Sequence, residues 1–311
     1  MTTARGTSVT VRVPAKINLE LRVGALERNG YHPVATVFHA VSLFDEVTAS
    51  PNDSGEITVS VVGVTSEGVP TDETNLAVRA ARLLARRGEV TAGVDLIVQK
   101  HIPVAGGMAG GSADAAGALV ACDLAWGTGV AKAELLTMAA ELGADVSFAL
   151  VGGTAMGSGR GEQLTPVLAR GQHHWVLALT DEGLSTPAVY AEFDRLTRGR
   201  VTTQPRVSDE LMQALRRGDD IALGTAMRND LQAAACSLRP GLSDLVDVGC
   251  EYGALGAVVS GSGPTVAFLV RDHEHALDLS VALTASGACQ DVRRAHGPVH
   301  GARVVEPSRQ S

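Results

Sequence analysis

Val9, Val11 and Val13 alternate with polar residues, and so do Leu19, Leu21 and Val23. Side chains of a strand point to opposite faces in turn, so two half-buried strands are predicted there. Arg28-Asn29-Gly30-Tyr31-His32-Pro33 reads as a turn, and strands are predicted over 36–43, 46–49 and 57–61. Leu76, Ala80, Leu83 and Leu84 recur at helical spacing, which predicts a helix over 75–87. Val94, Leu96 and Val98 alternate in a strand that runs into a glycine-rich loop. The next helix extends to about Trp126, with Ser112 or Asp114 as its expected cap. A helix over 132–142 stops at Gly143; Asp145 follows, then an apolar stretch over 146–151. Residues 152–161 read as a hairpin.

The pattern changes character near residue 165. Strands are predicted over 175–180, 254–260 and 266–270, and helices over 186–196, 208–217, 219–228, 241–252 and 273–285. Residues 197–207 are polar and basic and read as a surface connection, and the tail from Gly297 reads as loosely held. The order predicts an α+β protein of two lobes, 1–165 and 166–311.

Composition narrows the function classes. The chain has 311 residues, 45% hydrophobic, enough for one large domain or two modest ones, each with its own core. Its net charge is −8 and it has no long basic run, which speaks against nucleic acid and anionic membranes as partners. Its apolar runs are strand-length, and no apolar signal core opens the chain, so a soluble cytoplasmic protein is expected. No obligate protein partner is inferred. Cys122, Cys236, Cys250 and Cys289 are scattered and predict neither a disulfide framework nor a zinc site.

Chemistry concentrates at Pro103-Val104-Ala105-Gly106-Gly107-Met108-Ala109-Gly110-Gly111-Ser112-Ala113-Asp114. Glycines bare the backbone amides, and the following helix start adds unpaired donors and the positive end of its dipole. Such a loop cradles phosphate. It is not a Walker A loop, because Ser112 and Ala113 stand where Lys and Ser/Thr belong, and Met108 breaks the dinucleotide-binding pattern.

Five further segments compete with bland readings. Lys16 and Asn18 share one face of an otherwise apolar strand; they form either a solvated edge or a site. Asp145 is either a helix cap or a carboxylate placed to orient a hydroxyl and accept its proton. Tyr31-His32 and Thr186-Pro187-Ala188-Val189-Tyr190 are either a turn and a capped helix with packed rings, or a clamp for a flat base. Ser260-Gly261-Ser262-Gly263-Pro264-Thr265 is either a tight strand entry or a second loop bracing the first.

Taken together, PAKINL at 14–19, PVAGGMAGGSADAA at 103–116 and SGSGPTVAFL at 260–269 resemble the GHMP kinase superfamily. The likeness covers about residues 8–295. It implies a two-lobed α+β fold, with an N-terminal lobe like ribosomal protein S5 domain 2 and a ferredoxin-like C-terminal lobe. Asn29-Gly30-Tyr31-His32, Lys100-His101-Ile102-Pro103, Gly143-Ala144-Asp145-Val146 and the segment 186–190 point within it to an enzyme whose acceptor is a CDP-linked small molecule. The implied reaction is ATP-dependent phosphorylation of the 2-hydroxyl of 4-CDP-2-C-methyl-D-erythritol, a step of non-mevalonate isoprenoid synthesis. The resemblance makes Lys16 and Asp145 the catalytic pair. It places ATP on residues Pro103, Val104, Ala105, Gly106, Gly107, Met108, Ala109, Gly110, Gly111, Ser112 and Ala113, with Asn75, Leu76 and Lys100 near the adenosine. Asn18, Tyr31, His32, Asp145, Thr186 and Tyr190 would hold the acceptor, the two tyrosines sandwiching cytosine and His32 reading its edge. Mg²⁺ would accompany ATP, with the Ser112 hydroxyl as a ligand. Other readings are a superfamily kinase of homoserine, mevalonate or a sugar, and a non-catalytic sensor of the same fold.

Overall fold

A computed structural model describes residues 7–63, 66–180, 183–198 and 200–305. The first two predicted strands are one strand, β1 (Val9–Val23), and the next two are β2 (Val34–Asn52). The two pair antiparallel from Val9 opposite Ala49 to Val23 opposite Val34. Register shifts at Pro14/Ala15 and between Asn18 and Glu20 absorb the positions where alternation lapses, as bulges do. The first half continues with β3 (Ile57–Val62), α1 (Leu76–Arg87), β4 (Gly93–Gln99), α2 (Gly110–Trp126), α3 (Lys132–Leu142), α4 (Ala144–Val151), β5 (Thr154–Ser158) and β6 (Gln163–Pro166). The second half contains β7 (His173–Leu179), α5 (Thr186–Thr197), α6 (Asp209–Arg217), α7 (Asp220–Ala226), β8 (Arg228–Asn229), α8 (Gln232–Leu238) and α9 (Gly241–Glu251). It ends with β9 (Gly256–Val259), β10 (Val266–Val270), α10 (His273–Ser286), β11 (Asp291–Gly297) and β12 (Arg303–Val304).

Two sheets organise the molecule. The larger runs β12-β1-β2-β4-β3, with β5 on β2, β6 on β5 and β8 on β1; the smaller runs β11-β7-β10-β9. In α2, Ala113, Ala115, Ala116, Ala118, Leu119, Ala121 and Cys122 are all fully buried. A helix apolar on nearly every side belongs in the middle of a core, and α2 packs between α1 and the β1–β2 pair. Its small side chains let it pack closely on the sheet: a Cβ at Gly117 would lie 2.7 Å from Val47 Cγ2 and 3.1 Å from Val13 Cγ2. No helix among the described residues is long and apolar enough to cross a membrane.

Two expectations fail, and one strand goes unforeseen, for one physical reason: backbone pairing can hold segments that lack an apolar pattern. The tail from Gly297 is not loosely held as far as residue 305. Val304 pairs with Val11, Ala302 N donates to Ala149 O at 2.9 Å, and Gly152 bridges to His300. Residues 306–311 lie outside the described residues. β11, whose charged Arg293 and Arg294 mask it, is an edge strand on β7. The helix predicted over 219–228 ends at Ala226, because Arg228 and Asn229 pair parallel with Glu20 and Leu21 of β1. The seven-residue α8, which lacks a side-chain cap, escaped the pattern altogether.

Between the sheets, His39 of β2 is fully buried, its ring 5.5 Å from that of His173 and 5.7 Å from that of Trp175. Its Nδ1 meets Thr154 Oγ1 at 2.9 Å, and His173 Nδ1 meets Asp220 Oδ1 at 2.6 Å. Burial, and then the nearness of His173, push His39 down to about 3, against a smaller opposing hydrogen bond to the Gly297 backbone. The folded state therefore holds His39 neutral, while the unfolded chain protonates it near its ordinary value. Stability from this group is whole above about pH 6.5 and is lost as pH falls toward 3, at about 1.4 kcal/mol per pH unit. Urea unfolding of the wild type and of His39→Phe between these limits should show the steeper acid loss in the wild type. Equal slopes would exclude His39 as its source.

Candidate active site

The glycine loop begins where β4 ends. Ala105, Gly107 and Ala109 have φ of 53°, 75° and 60°, each alternating with a residue of ordinary φ. Such alternation turns successive amides toward one concavity, a backbone nest for an anion. Two non-glycine residues held at positive φ mark strain of the kind kept at functional sites. The cap expected from Ser112 or Asp114 is absent. α2 starts earlier, at Gly110, and its N-cap residue Ala109 makes no side-chain cap bond. The first-turn amides are thus left to a ligand, and Asp114 points elsewhere. Met108 and Ala113 are fully buried, so of the predicted nucleotide residues these two turn into the core. The remainder, with Asn75 and Leu76, line a cavity of about 770 Å³, a size suited to small ligands. Asn75 also caps α1, its Oδ1 accepting from Ala77 N at 2.8 Å.

The second loop braces the first. Ser260 Oγ donates to Gly107 O at 3.1 Å and Thr265 N to Gly106 O at 3.4 Å. β1 ties in from the other side through Lys16 N to Met108 O at 3.3 Å.

Lys100 lines the cavity, but its ammonium is held by Asp45 and by Asp114 at 2.8 Å. Asp45 also accepts from His101 N and Ile102 N at 2.6 and 2.9 Å. This buried cluster joins β2, α2 and the entry to the loop, so Lys100 fixes the shape of the cavity wall beside the loop. Burial lowers Lys100, but the charges of Asp114 and Asp45 more than offset it and the net direction is up. Burial pushes the Asp114 carboxyl up, Asp45 adds to this, and Lys100 opposes it.

Lys16 and Asn18 share a face of β1 as expected. Lys16 Nζ donates to Asn18 Oδ1 at 2.7 Å, and Asn18 Nδ2 donates to Thr36 Oγ1 at 2.8 Å. The Thr36 hydroxyl donates in turn to Glu20 O at 2.7 Å. This chain fixes where the ammonium stands. Asp145 lies in the first turn of α4, just after Gly143, its Oδ2 3.9 Å from Lys16 Nζ. The structure thus brings together two residues 129 positions apart in the chain (145 − 16). Burial lowers Lys16 below the ordinary lysine value, and the charge of Asp145 opposes this.

Tyr190 and Thr186 of α5 also line the cavity, and Thr186 Oγ1 meets Ser262 Oγ at 2.8 Å. Burial, then the Asp145 charge, push the Tyr190 phenol up to about 12. His32 stacks against Tyr190 with ring centroids 5.2 Å apart. Its Nδ1 donates to Gly24 O at 2.8 Å, and its Nε2 lies 3.4 Å from Asp194 Oδ2. His32 is therefore engaged in holding Tyr190 and the turn, and both of its nitrogens face protein atoms. Tyr31 is 54% exposed and does not line the cavity; Arg160 covers its ring at 4.9 Å. The tyrosines do not form a closed sandwich here. Thr36, Phe38, Arg160 and Ser262 line the cavity without having been anticipated. Alternation along β2 could have found Thr36 and Phe38, whereas Arg160 sits in a turn with no periodic signal.

Comparison with known proteins agrees with this geometry. The family models for the GHMP kinases N terminal domain and the GHMP kinases C terminal match residues 75–153 and 211–289. The 4-diphosphocytidyl-2-C-methyl-D-erythritol kinase of Thermobifida fusca is 56% identical, covering 96% of this chain and 99% of that protein. The enzyme of the same name from Streptomyces avermitilis is 55% identical, covering 96% of this chain and all of that protein, 100%. A crystal structure of 4-(cytidine 5'-diphospho)-2C-methyl-D-erythritol kinase superposes with a TM-score of 0.74 at 30% identity, over 92% of this chain and 98% of that one. With both family models matched in order and relatives similar over nearly its whole length, the chain belongs to the GHMP kinase family.

Proposed function

We propose that this protein transfers the γ-phosphoryl group of ATP to the 2-hydroxyl of 4-diphosphocytidyl-2-C-methyl-D-erythritol. The observation that carries this reading is one cavity lined by both an uncapped amide cradle and the Lys16–Asp145 pair. Phosphoryl transfer asks a protein for positioning and charge stabilisation more than for covalent chemistry. The loop amides and the α2 N-terminus hold the phosphates of the donor. Asp145 orients the acceptor hydroxyl and takes its proton as the oxygen attacks. Lys16, fixed by Asn18, balances the charge that moves with the phosphoryl group. A tertiary hydroxyl is crowded, so its alignment governs the rate. Mg²⁺ in such sites is held mainly by phosphate oxygens and few protein groups. Ser112, in the first turn of α2 and on the cavity wall, fits that sparse donor set. When bound, the ion would neutralise phosphate charge.

An ADP-release assay on the full chain separates this acceptor from others. Turnover is expected with the CDP-linked substrate and not with homoserine or mevalonate. Turnover with either of those, and none with the CDP compound, would remove the reading.

Tyr190, rigidified by His32, supplies one stacking face for the base, and Tyr31 supplies the other once its ring is uncovered. Base–aromatic stacking is worth ~1–3 kcal/mol. Tyr31→Ala should therefore raise KM for the CDP substrate by about 5- to 100-fold while KM for ATP stays near the wild-type value. Equal effects on both constants would argue against stacking.

A further inference from the structure

Three cations line the cavity: Lys16, Lys100 and Arg160. Lys16 is committed to Asn18 and Asp145, and Lys100 to Asp45 and Asp114. Arg160 differs. Its guanidinium rests on the Tyr31 ring, 4.9 Å from the centroid, and pairs with no carboxylate among the described residues. Its backbone is nonetheless fixed. Arg160 N donates to Glu162 Oε2 at 2.7 Å, and Val34 N donates to Gly159 O at 2.8 Å. The second bond ties the β5–β6 turn to the start of β2, directly after the Tyr31-His32 segment.

The proposed reaction puts two polyphosphates into one cavity. The donor's chain is served by amides at the loop and helix start. The acceptor's diphosphate bridge needs its own counter-charge, close to the rings that would take its base. We propose that Arg160 recognises this diphosphate and thereby selects nucleoside-diphosphate-linked acceptors; the inference rests on the acceptor reading above. A planar guanidinium binds phosphate oxygens in pairs, which an ammonium cannot copy. Its resting contact with an exposed ring is weak, so it is easily exchanged for charge-assisted hydrogen bonds. That exchange also bares the face of Tyr31 against which a base would stack. One side chain thus couples recognition of the phosphates to opening of the base site.

The test compares wild type, Arg160→Gln and Arg160→Lys as full chains, with cytidine, CMP and CDP as inhibitors competing with the acceptor. The wild type should bind CDP more tightly than cytidine. Arg160→Gln should reduce that preference by about tenfold or more and raise the acceptor KM to the same degree, with KM for ATP and the melting temperature unchanged. Arg160→Lys should recover part of the preference. An undiminished CDP-over-cytidine preference in Arg160→Gln, or an equal rise in both KM values, overturns the inference and leaves the acceptor reading standing. If no cytidine compound inhibits the wild type, the acceptor reading fails and this inference fails with it.

Discussion

Asp145→Asn is expected to lower kcat by about 10²–10⁴-fold, the usual contribution of a general base, while ATP binding persists. The substitution keeps the shape of the side chain and removes its ability to take a proton. Asp145 is not part of the phosphate cradle. It stands on α4, and the cradle is made by the loop and α2. Its position is set by backbone that the change leaves alone: Gly143 ends α3, and Val146 N donates to Gly143 O at 3.1 Å. The cost of the change therefore falls on chemistry. It also removes the charge that opposes burial at Lys16, so the lysine drops further below its ordinary value. The charge-balancing role weakens together with the base. ADP release at saturating substrates, paired with calorimetric titration of a non-hydrolysable ATP analogue, separates the two quantities. Turnover within about tenfold of wild type would exclude Asp145 as the base, and loss of analogue binding would mean that its role is structural.

Much of this site was legible because its residues break a simple rule where they stand. Lys16 and Asn18 interrupt an apolar strand at a spacing of two, which puts them on one face, and the structure joins them by a 2.7 Å hydrogen bond. The glycine loop stood out by its density of glycines and by failing both of the better-known phosphate patterns. The elements that stayed hidden are held by partners distant in the chain. Asp114 looked like a cap because local spacing allowed it; its real partner, Lys100, is 14 residues back, and the third member, Asp45, is 55 residues from Lys100. The base-reading role of His32 came from the resemblance, and nothing nearby in sequence revealed Gly24 O and Asp194 as partners of its ring. β12 carries no apolar pattern and is held by pairing with β1. Periodicity reports which face of an element is buried. It does not report which polar group meets which, and the surroundings of His32 and Lys100 are built mostly from such meetings.

Gly107→Ala is expected to raise KM for ATP by about 100-fold or more, about 3 kcal/mol, and to lower the melting temperature. Positive φ alone does not account for this. Ala105 and Ala109 already sit at φ of 53° and 60°, so the loop tolerates a methyl group in that region twice, at a cost of about 1–2 kcal/mol each. What is particular to Gly107 is its neighbour. A Cβ there would overlap the Ser260 carbonyl oxygen and lie 3.0 and 3.1 Å from Gly263 N and O, all backbone atoms that cannot swing aside. The two glycine loops would have to part. Parting them breaks Ser260 Oγ to Gly107 O and Thr265 N to Gly106 O, the bonds that hold the nest in shape. Gly261 would retreat with its loop, and it packs near Lys16 Nζ and Asn18 Oδ1, so the proposed Lys16–Asp145 pair would feel the same shift. Gly241→Ala is the control: it has open space around its Cβ and no positive φ, and it should change neither constant. If Gly107→Ala binds ATP as the wild type does, the 260–265 loop is merely adjacent to the cradle, and contact between the loops does not shape the nucleotide site.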